Sequence, residues 1–235
     1  MCEIYGVNLS KSINSSTFQL LLQLLPLEKQ KKINKFLHFE DAQRGLVADL
    51  LIRFIIAQKG MSNGECQFNI NDFGKPFLMN FPNFEFNLSH SEEWVVCAID
   101  SAPVGIDVEA IKPIDLEVAN HFFTEKECHY IFSTPNLEES RFYEVWTLKE
   151  SYIKAVGQGL TIPLNSFSIV HTNSSYQLEL ESGNLDDHSF YFKQMALDSH
   201  YKLAICTQNN HFPSNVTHVH LQDLVSGSLK GNSIL

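Results

Sequence analysis

The sequence predicts an α+β fold built from two similar halves, and three observations carry that prediction. Two long amphipathic helical stretches sit in different halves of the chain, strand-like runs flank each of them, and a shift of 97 positions superimposes one half on the other. In chain order, "EIYGVNL" (3–9) comes first, a β-branched and aromatic run that reads as a strand. Residues 42–59, "AQRGLVADLLIRFIIAQK", place Leu46, Leu50, Ile52, Phe54 and Ile56 along a helix that runs into Gly60. "FEFNL" (84–88) and "WVVCAI" (94–99) read as strands, followed by "VGIDVEAI" (104–111). The second helix, 138–156, carries Phe142, Val145, Trp146 and Ile153 and runs into Gly157. "FSIVHT" (167–172) and "KLAICT" (202–207) complete the strand-like runs.

Under the 97-residue shift, Glu28 falls on Glu125, Lys29 on Lys126, Arg44 on Arg141, Leu51 on Leu148, Ile56 on Ile153 and Gly60 on Gly157. The strand regions at 89–99 and 199–205 follow the helices in the same order, which favours duplication over one irregular domain. The expected division is an N-terminal half, 1–102, and a C-terminal half, 103–235, with a tail at its end. The chemistry is asymmetric, because Glu150 falls on Arg53 and Lys154 on Ala57. One site per chain, in the cleft between the halves, is the expectation.

At 235 residues and 44% hydrophobic, the chain can bury a sizeable core. A formal charge of -10 argues against nucleic-acid or anionic-membrane binding, both of which need an extended basic face. "FQLLLQLLPL" (18–27) contains glutamine and proline and follows no basic segment, so it reads as neither signal peptide nor membrane span, and a cytoplasmic protein is expected. Cys2, Cys66, Cys97, Cys128 and Cys206 are scattered without a C-x-x-C pair and read as reduced thiols.

The chemistry begins at Asp107 and Glu109. On a strand, Ile106 and Val108 point one way and these two carboxylates the other. Alone, that is the ordinary pattern of a half-buried edge strand. "WTLKESYIK" (146–154) adds Trp146, Glu150 and Lys154 on one helical face. A lone Glu–Lys pair of this kind contributes only ~0.3–0.5 kcal/mol to a helix. A third carboxylate with no histidine or cysteine companion changes the balance, because three hard oxygen donors suit Mg²⁺, which commonly bridges to substrate phosphates. A phosphate-rich ligand also requires cations, and "EKQKKINK" (28–35) concentrates Lys29, Lys31, Lys32 and Lys35 in an acidic chain, with Arg44 following and Lys75 in the turn "DFGKPFL" (72–78). Ser89 and His90, at the end of an alternating strand, are hydrogen-bond donors for a phosphate.

Together, "GKP" (74–76), "FNLSHS" (86–91), "VGIDVE" (104–109) and "WTLKESYIKAVGQGL" (146–160) resemble the 4'-phosphopantetheinyl transferases of the surfactin-synthetase-activating type. The similarity runs from "IYGV" (4–7) to about Cys206 and includes "DAQRGLVADLLIR" (41–53). The resemblance implies two α+β halves related by a pseudo-two-fold axis with one site between them. It implies transfer of the phosphopantetheine arm of coenzyme A to a serine of an apo carrier protein, releasing adenosine 3',5'-bisphosphate. Carried over, Asp107, Glu109 and Glu150 would hold Mg²⁺ at the pyrophosphate. Lys29, Lys32, Arg44 and His90 would meet the 3'-phosphate and adenosine end, with Lys75 and Ser89 nearer the pyrophosphate or pantetheine. Glu150, directly or through a metal-bound water, would take the serine proton, while Lys154 would stabilise the developing charge and protonate the leaving phosphate.

In such enzymes the segment after the acidic strand, together with the second-half helix region, receives the carrier, here "IKPIDLEVANHFF" (111–123), where Leu116, Val118, Phe122 and Phe123 give apolar contact surface and Phe122 and Phe123 suit a core equally well. Gly45 departs from the family pattern, standing where relatives often place a hydroxyl. The expected partners are apo peptidyl carrier domains of nonribosomal peptide synthetases, with acyl carrier proteins as the alternative, acted on by a monomer. Two other readings stay open: a noncatalytic coenzyme A or nucleotide-binding regulator, and a Mg²⁺-dependent pyrophosphohydrolase, although the dense glutamate helix of the latter is missing.

Overall fold

Two sheets, antiparallel except for one short strand at the far edge of the first, are each backed by one long helix and meet along a seam between their edge strands. A computed structural model describes residues 1–172, 175–180 and 190–229. The first half runs β1 (Glu3–Asn8), α1 (Ser15–Gln23), α2 (Leu27–Ile33), α3 (Phe39–Gln58), the hairpin β2 (Phe68–Ile70) and β3 (Pro76–Leu78), then β4 (Glu85–Ser91) and β5 (Trp94–Asp100). The second repeats that order: β6 (Val104–Ala110), α4 (Ala119–Phe122), α5 (Glu125–Phe132), α6 (Glu138–Val156), the hairpin β7 (Phe167–His171) and β8 (Tyr176–Leu180), then β9 (Tyr191–Met195) and β10 (Tyr201–Thr207). The order β1-β5-β4 in one sheet is matched by β6-β10-β9 in the other.

Strand alternation sorts the side chains into layers. Val7, Phe86, Val95 and Cys97 pack with Leu46, Leu50 and Ile55 of α3. The opposite face of that sheet, with Ile4, Trp94, Val96 and Ala98, shares a core with Val104, Ile106, Val108, Leu203 and Ile205. The outer face of the second sheet carries Ala204 and Cys206 against Leu148, Ile153 and Ala155 of α6. Ile106 and Val108 are thus core, and Asp107 and Glu109 project toward α6, as period-two alternation dictates.

Helix α6 lies directly on β6, and Gly105 is what permits it. A Cβ there would stand 2.0 Å from the Ser151 carbonyl oxygen and 2.3 Å from the Ala155 nitrogen. Gly157 then closes α6 in the left-handed conformation, φ 77°, which glycine adopts without a Cβ clash. Upstream, Thr124 and Glu127 form a capping box at the start of α5.

The tail departs from the expected division at 102/103. After β10 the chain returns to the first half, where β11 (Thr217–His218) pairs in parallel with β1 and α7 (Leu221–Leu229) packs on α1 and α3. No helix among the described residues is long and apolar enough to cross a membrane.

Candidate active site

The site grows from the seam between β4 and β6. Strand β6 pairs with β10 on one edge, and antiparallel alternation leaves the N–H groups of Ile106, Val108 and Ala110 on the other. Side chains of β4 satisfy them. The Ile106 N–H donates to Asn87 Oδ1 at 3.0 Å, the Val108 N–H to Ser89 Oγ at 3.4 Å and the Ala110 N–H to Ser91 Oγ at 3.1 Å. The two serines turn their own protons to the carboxylates: Ser89 Oγ donates to Asp107 Oδ1 at 2.9 Å and Ser91 Oγ to Glu109 Oε2 at 2.8 Å.

From α6, Lys154 Nζ reaches Asp107 Oδ1 at 2.6 Å and Ser89 Oγ at 3.1 Å. Burial raises the Glu150 carboxyl pKa and the Asp107 charge adds to it, while Lys154 opposes both. Glu109 is pushed up to about 7, by burial first and then by the charge of Asp107, with a smaller contribution from Glu150. Ser89, Asp107, Glu109, Glu150 and Lys154 therefore form one electrostatically coupled cluster. Trp146, one turn before Glu150, is a packing anchor, stacked on Phe142 at 5.9 Å between ring centroids.

The other expected residues distribute unevenly. Arg44 donates to the Glu92 carbonyl in the β4–β5 turn at 2.8 Å and pairs with Asp41 at 2.5 Å. His90 is next to the cluster: crowding by protein lowers its imidazole pKa, and the Arg44 and Lys154 charges push it the same way. Lys29 sits on α2 with Nζ 2.9 Å from the buried Asp49 carboxylate, which also binds Arg53 Nε at 2.6 Å. Arg53 is the counterpart of Glu150 under the 97-residue shift, so that position in the first half is taken up by an ion pair. Lys32 and Lys35 are exposed on the same side of the molecule as Lys31, on and just beyond α2. Lys75 is not brought to the carboxylates. Its Nζ donates to the carbonyls of Val104 at 3.1 Å and Ala155 at 3.0 Å, clamping the β2–β3 turn to the start of β6 and the end of α6. Burial lowers its pKa.

In the segment 111–123, Phe123 is core at 4% exposed, whereas Phe122 is 38% exposed and meets Trp146 edge-on. Gly45 packs beside Phe36; a Cβ there would stand 3.3 Å from the ring. Sequence reasoning missed Asn87, Ser91 and Asp49. For the first two the signal was present, since alternate positions 87, 89 and 91 of one strand all carry small polar side chains.

The donor set fits Mg²⁺. It consists of carboxylates alone, and Asp107 Oδ2 is buried without a hydrogen-bond partner. Mg²⁺ keeps several waters and needs only one or two carboxylates beside substrate phosphates. Among the described residues no three acidic, histidine or cysteine side chains close into a metal cage.

Comparison with known proteins agrees with these motifs. The profile of the 4'-phosphopantetheinyl transferase superfamily matches residues 103–206, and that of the 4'-phosphopantetheinyl transferase N-terminal region matches 12–102. The chain is 37% identical over 227 residues to the 4'-phosphopantetheinyl transferase Sfp of Bacillus subtilis (strain 168), covering 95% of this chain and 100% of that one. It is 34% identical over 226 residues to the 4'-phosphopantetheinyl transferase ffp of Bacillus subtilis, covering 95% and 100%. It is 43% identical over 171 residues to the 4'-phosphopantetheinyl transferase gsp of Aneurinibacillus migulanus, covering 72% of this chain and 71% of that one.

Proposed function

This chain belongs to the 4'-phosphopantetheinyl transferase family, and from that premise we propose a Mg²⁺-dependent enzyme that loads apo peptidyl carrier domains of nonribosomal peptide synthetases. The serine oxygen of the carrier bonds to the phosphorus bearing pantetheine, the phosphoanhydride bond of coenzyme A breaks, and adenosine 3',5'-bisphosphate leaves. The observation that carries the reading is the gathering of Asp107, Glu109, Glu150 and Lys154 at the meeting of the two halves.

Asp107, Glu109 and Glu150 would hold the cation, which when bound neutralises charge on the pyrophosphate oxygens. Glu150 makes no ion pair among the described residues and has a raised pKa, properties that suit a base taking the serine proton. Lys154 supplies positive charge to the leaving phosphate and can return a proton to it. Arg44, His90, Lys29 and Lys32 would receive the 3'-phosphate and adenosine end; Lys29 would have to turn from Asp49 to do so. Lys75 serves this reading better as the clamp between the halves than as a phosphate contact. Exposed Phe122 offers an apolar contact for a carrier helix beside the site. One chain supplies both sides of the seam, which accords with a monomer.

Chromatography of the small-molecule products tests the reaction. Adenosine 3',5'-bisphosphate should appear in proportion to apo carrier and not with a carrier whose acceptor serine is replaced by alanine. Its release without carrier would instead support hydrolysis.

A further inference from the structure

Ser91 is the unexplained member of the seam. Asn87 contacts only backbone across it, and Ser89 is shared between Asp107 and Lys154. Ser91 joins one backbone N–H, that of Ala110, to one carboxylate, that of Glu109, through a single hydroxyl. A hydroxyl has one proton to give and lone pairs to accept with, and this geometry uses both functions.

We propose that Ser91 is a positioning residue for the divalent cation, acting through Glu109. Its hydroxyl holds Oε2 in place from the opposite half of the molecule and leaves Oε1, which has no hydrogen bond among the described residues, to serve as the ligating oxygen. The first half thus sets the aim of a ligand that the second half carries. Partners of this kind behind a metal ligand commonly change affinity by about 10–100-fold when removed. The inference rests on the reading of Asp107, Glu109 and Glu150 as the cation site.

The test is Mn²⁺ binding to the protein without coenzyme A, followed by electron paramagnetic resonance of the free ion, with folding checked by circular dichroism. Wild type and Glu109→Gln establish the site itself; equal affinity in these two would overturn the cation reading and the proposal with it. With that difference in hand, Ser91→Ala should weaken Mn²⁺ about tenfold, while Ser91→Thr, which keeps the hydroxyl, stays within about threefold of wild type. Ser91→Val is isosteric with Ser91→Thr and should behave like Ser91→Ala, so the hydroxyl is isolated even if alanine unsettles the strand. Asn87→Ala removes a backbone stitch without touching a carboxylate and should lower thermal stability with Mn²⁺ affinity nearly intact. Equal affinities for Ser91→Thr and Ser91→Val would overturn the proposal. So would a matching loss in Asn87→Ala, which would assign the effect to the seam as a whole.

Discussion

Lys154 Nζ stands 2.6 Å from Asp107 Oδ1, and the Ser89 hydroxyl touches both groups. A lysine from the helix of one half, an aspartate from the strand beneath it and a serine from the other half thereby close one three-way contact. Lys154→Met leaves the buried Asp107 without its cation and should cost about 1–3 kcal/mol, discounted because Lys154 is partly exposed. Adding Asp107→Asn should recover much of that stability in urea unfolding while transfer stays lost; additive losses would show that the pair is not coupled.

Glu150→Gln keeps the shape and removes the proposed base. Turnover should fall by about 10²–10⁴, while coenzyme A affinity, measured calorimetrically in EDTA so that Glu150's place among the proposed cation ligands does not enter, changes by less than about threefold. Unchanged turnover would remove Glu150 from that role.

Gly105→Ala tests the close approach of α6 to β6. The added methyl meets helix backbone at 2.0 Å, which cannot move aside as a side-chain tip can. A loss of at least ~3 kcal/mol in denaturant unfolding is expected, together with lost transfer, since the same shift displaces Glu150 and Lys154.

The Lys149–Glu127 pair is fully buried. Lys149 Nζ lies 2.7 Å from both carboxylate oxygens and 2.5 Å from the Phe167 carbonyl, which ties α6 to α5 and β7. Lys149→Met should destabilise by about 3–5 kcal/mol because Glu127 is stranded. The double variant Lys149→Met, Glu127→Leu should lose less than the sum of the two single changes.

His90 gives a pH dependence with a definite sign. Its pKa is lowered in the free protein, and an incoming phosphate would raise it, so the complex holds the extra proton more tightly. His90 should therefore favour coenzyme A binding as pH falls from the complex's pKa toward that of the free protein. The 3'-phosphate itself titrates near ~6 and opposes this. The informative quantity is the ratio of wild-type to His90→Asn affinity in EDTA, which should grow from pH 8 to pH 6, values chosen to span roughly the histidine range. A flat ratio would separate His90 from the phosphate.

Much of this arrangement is written in local patterns. The period-two alternation of 104–110 places Asp107 and Glu109 on the face toward α6, and the i, i+4 spacing of Glu150 and Lys154 turns them together. The repeat was visible because the two long helices kept their apolar faces and terminal glycines. The hairpin β2–β3, the strands β8 and β9 and the short helices α1, α2, α5 and α7 were not singled out, since each is short or has its order fixed by packing against distant elements. Lys29 and Lys75 show the same limit. Their charge marked them as phosphate ligands, but Asp49 and the carbonyls of Val104 and Ala155 become neighbours only in the folded chain. The return of 217–229 to the first half is likewise a tertiary fact with no local signature.

The most direct test is the intact mass of an apo peptidyl carrier domain after incubation with this protein, coenzyme A and Mg²⁺, alongside the same reaction in EDTA. The account predicts a gain of one phosphopantetheine group that disappears with EDTA. An unchanged carrier mass with Mg²⁺ present, despite measurable coenzyme A binding, would contradict it.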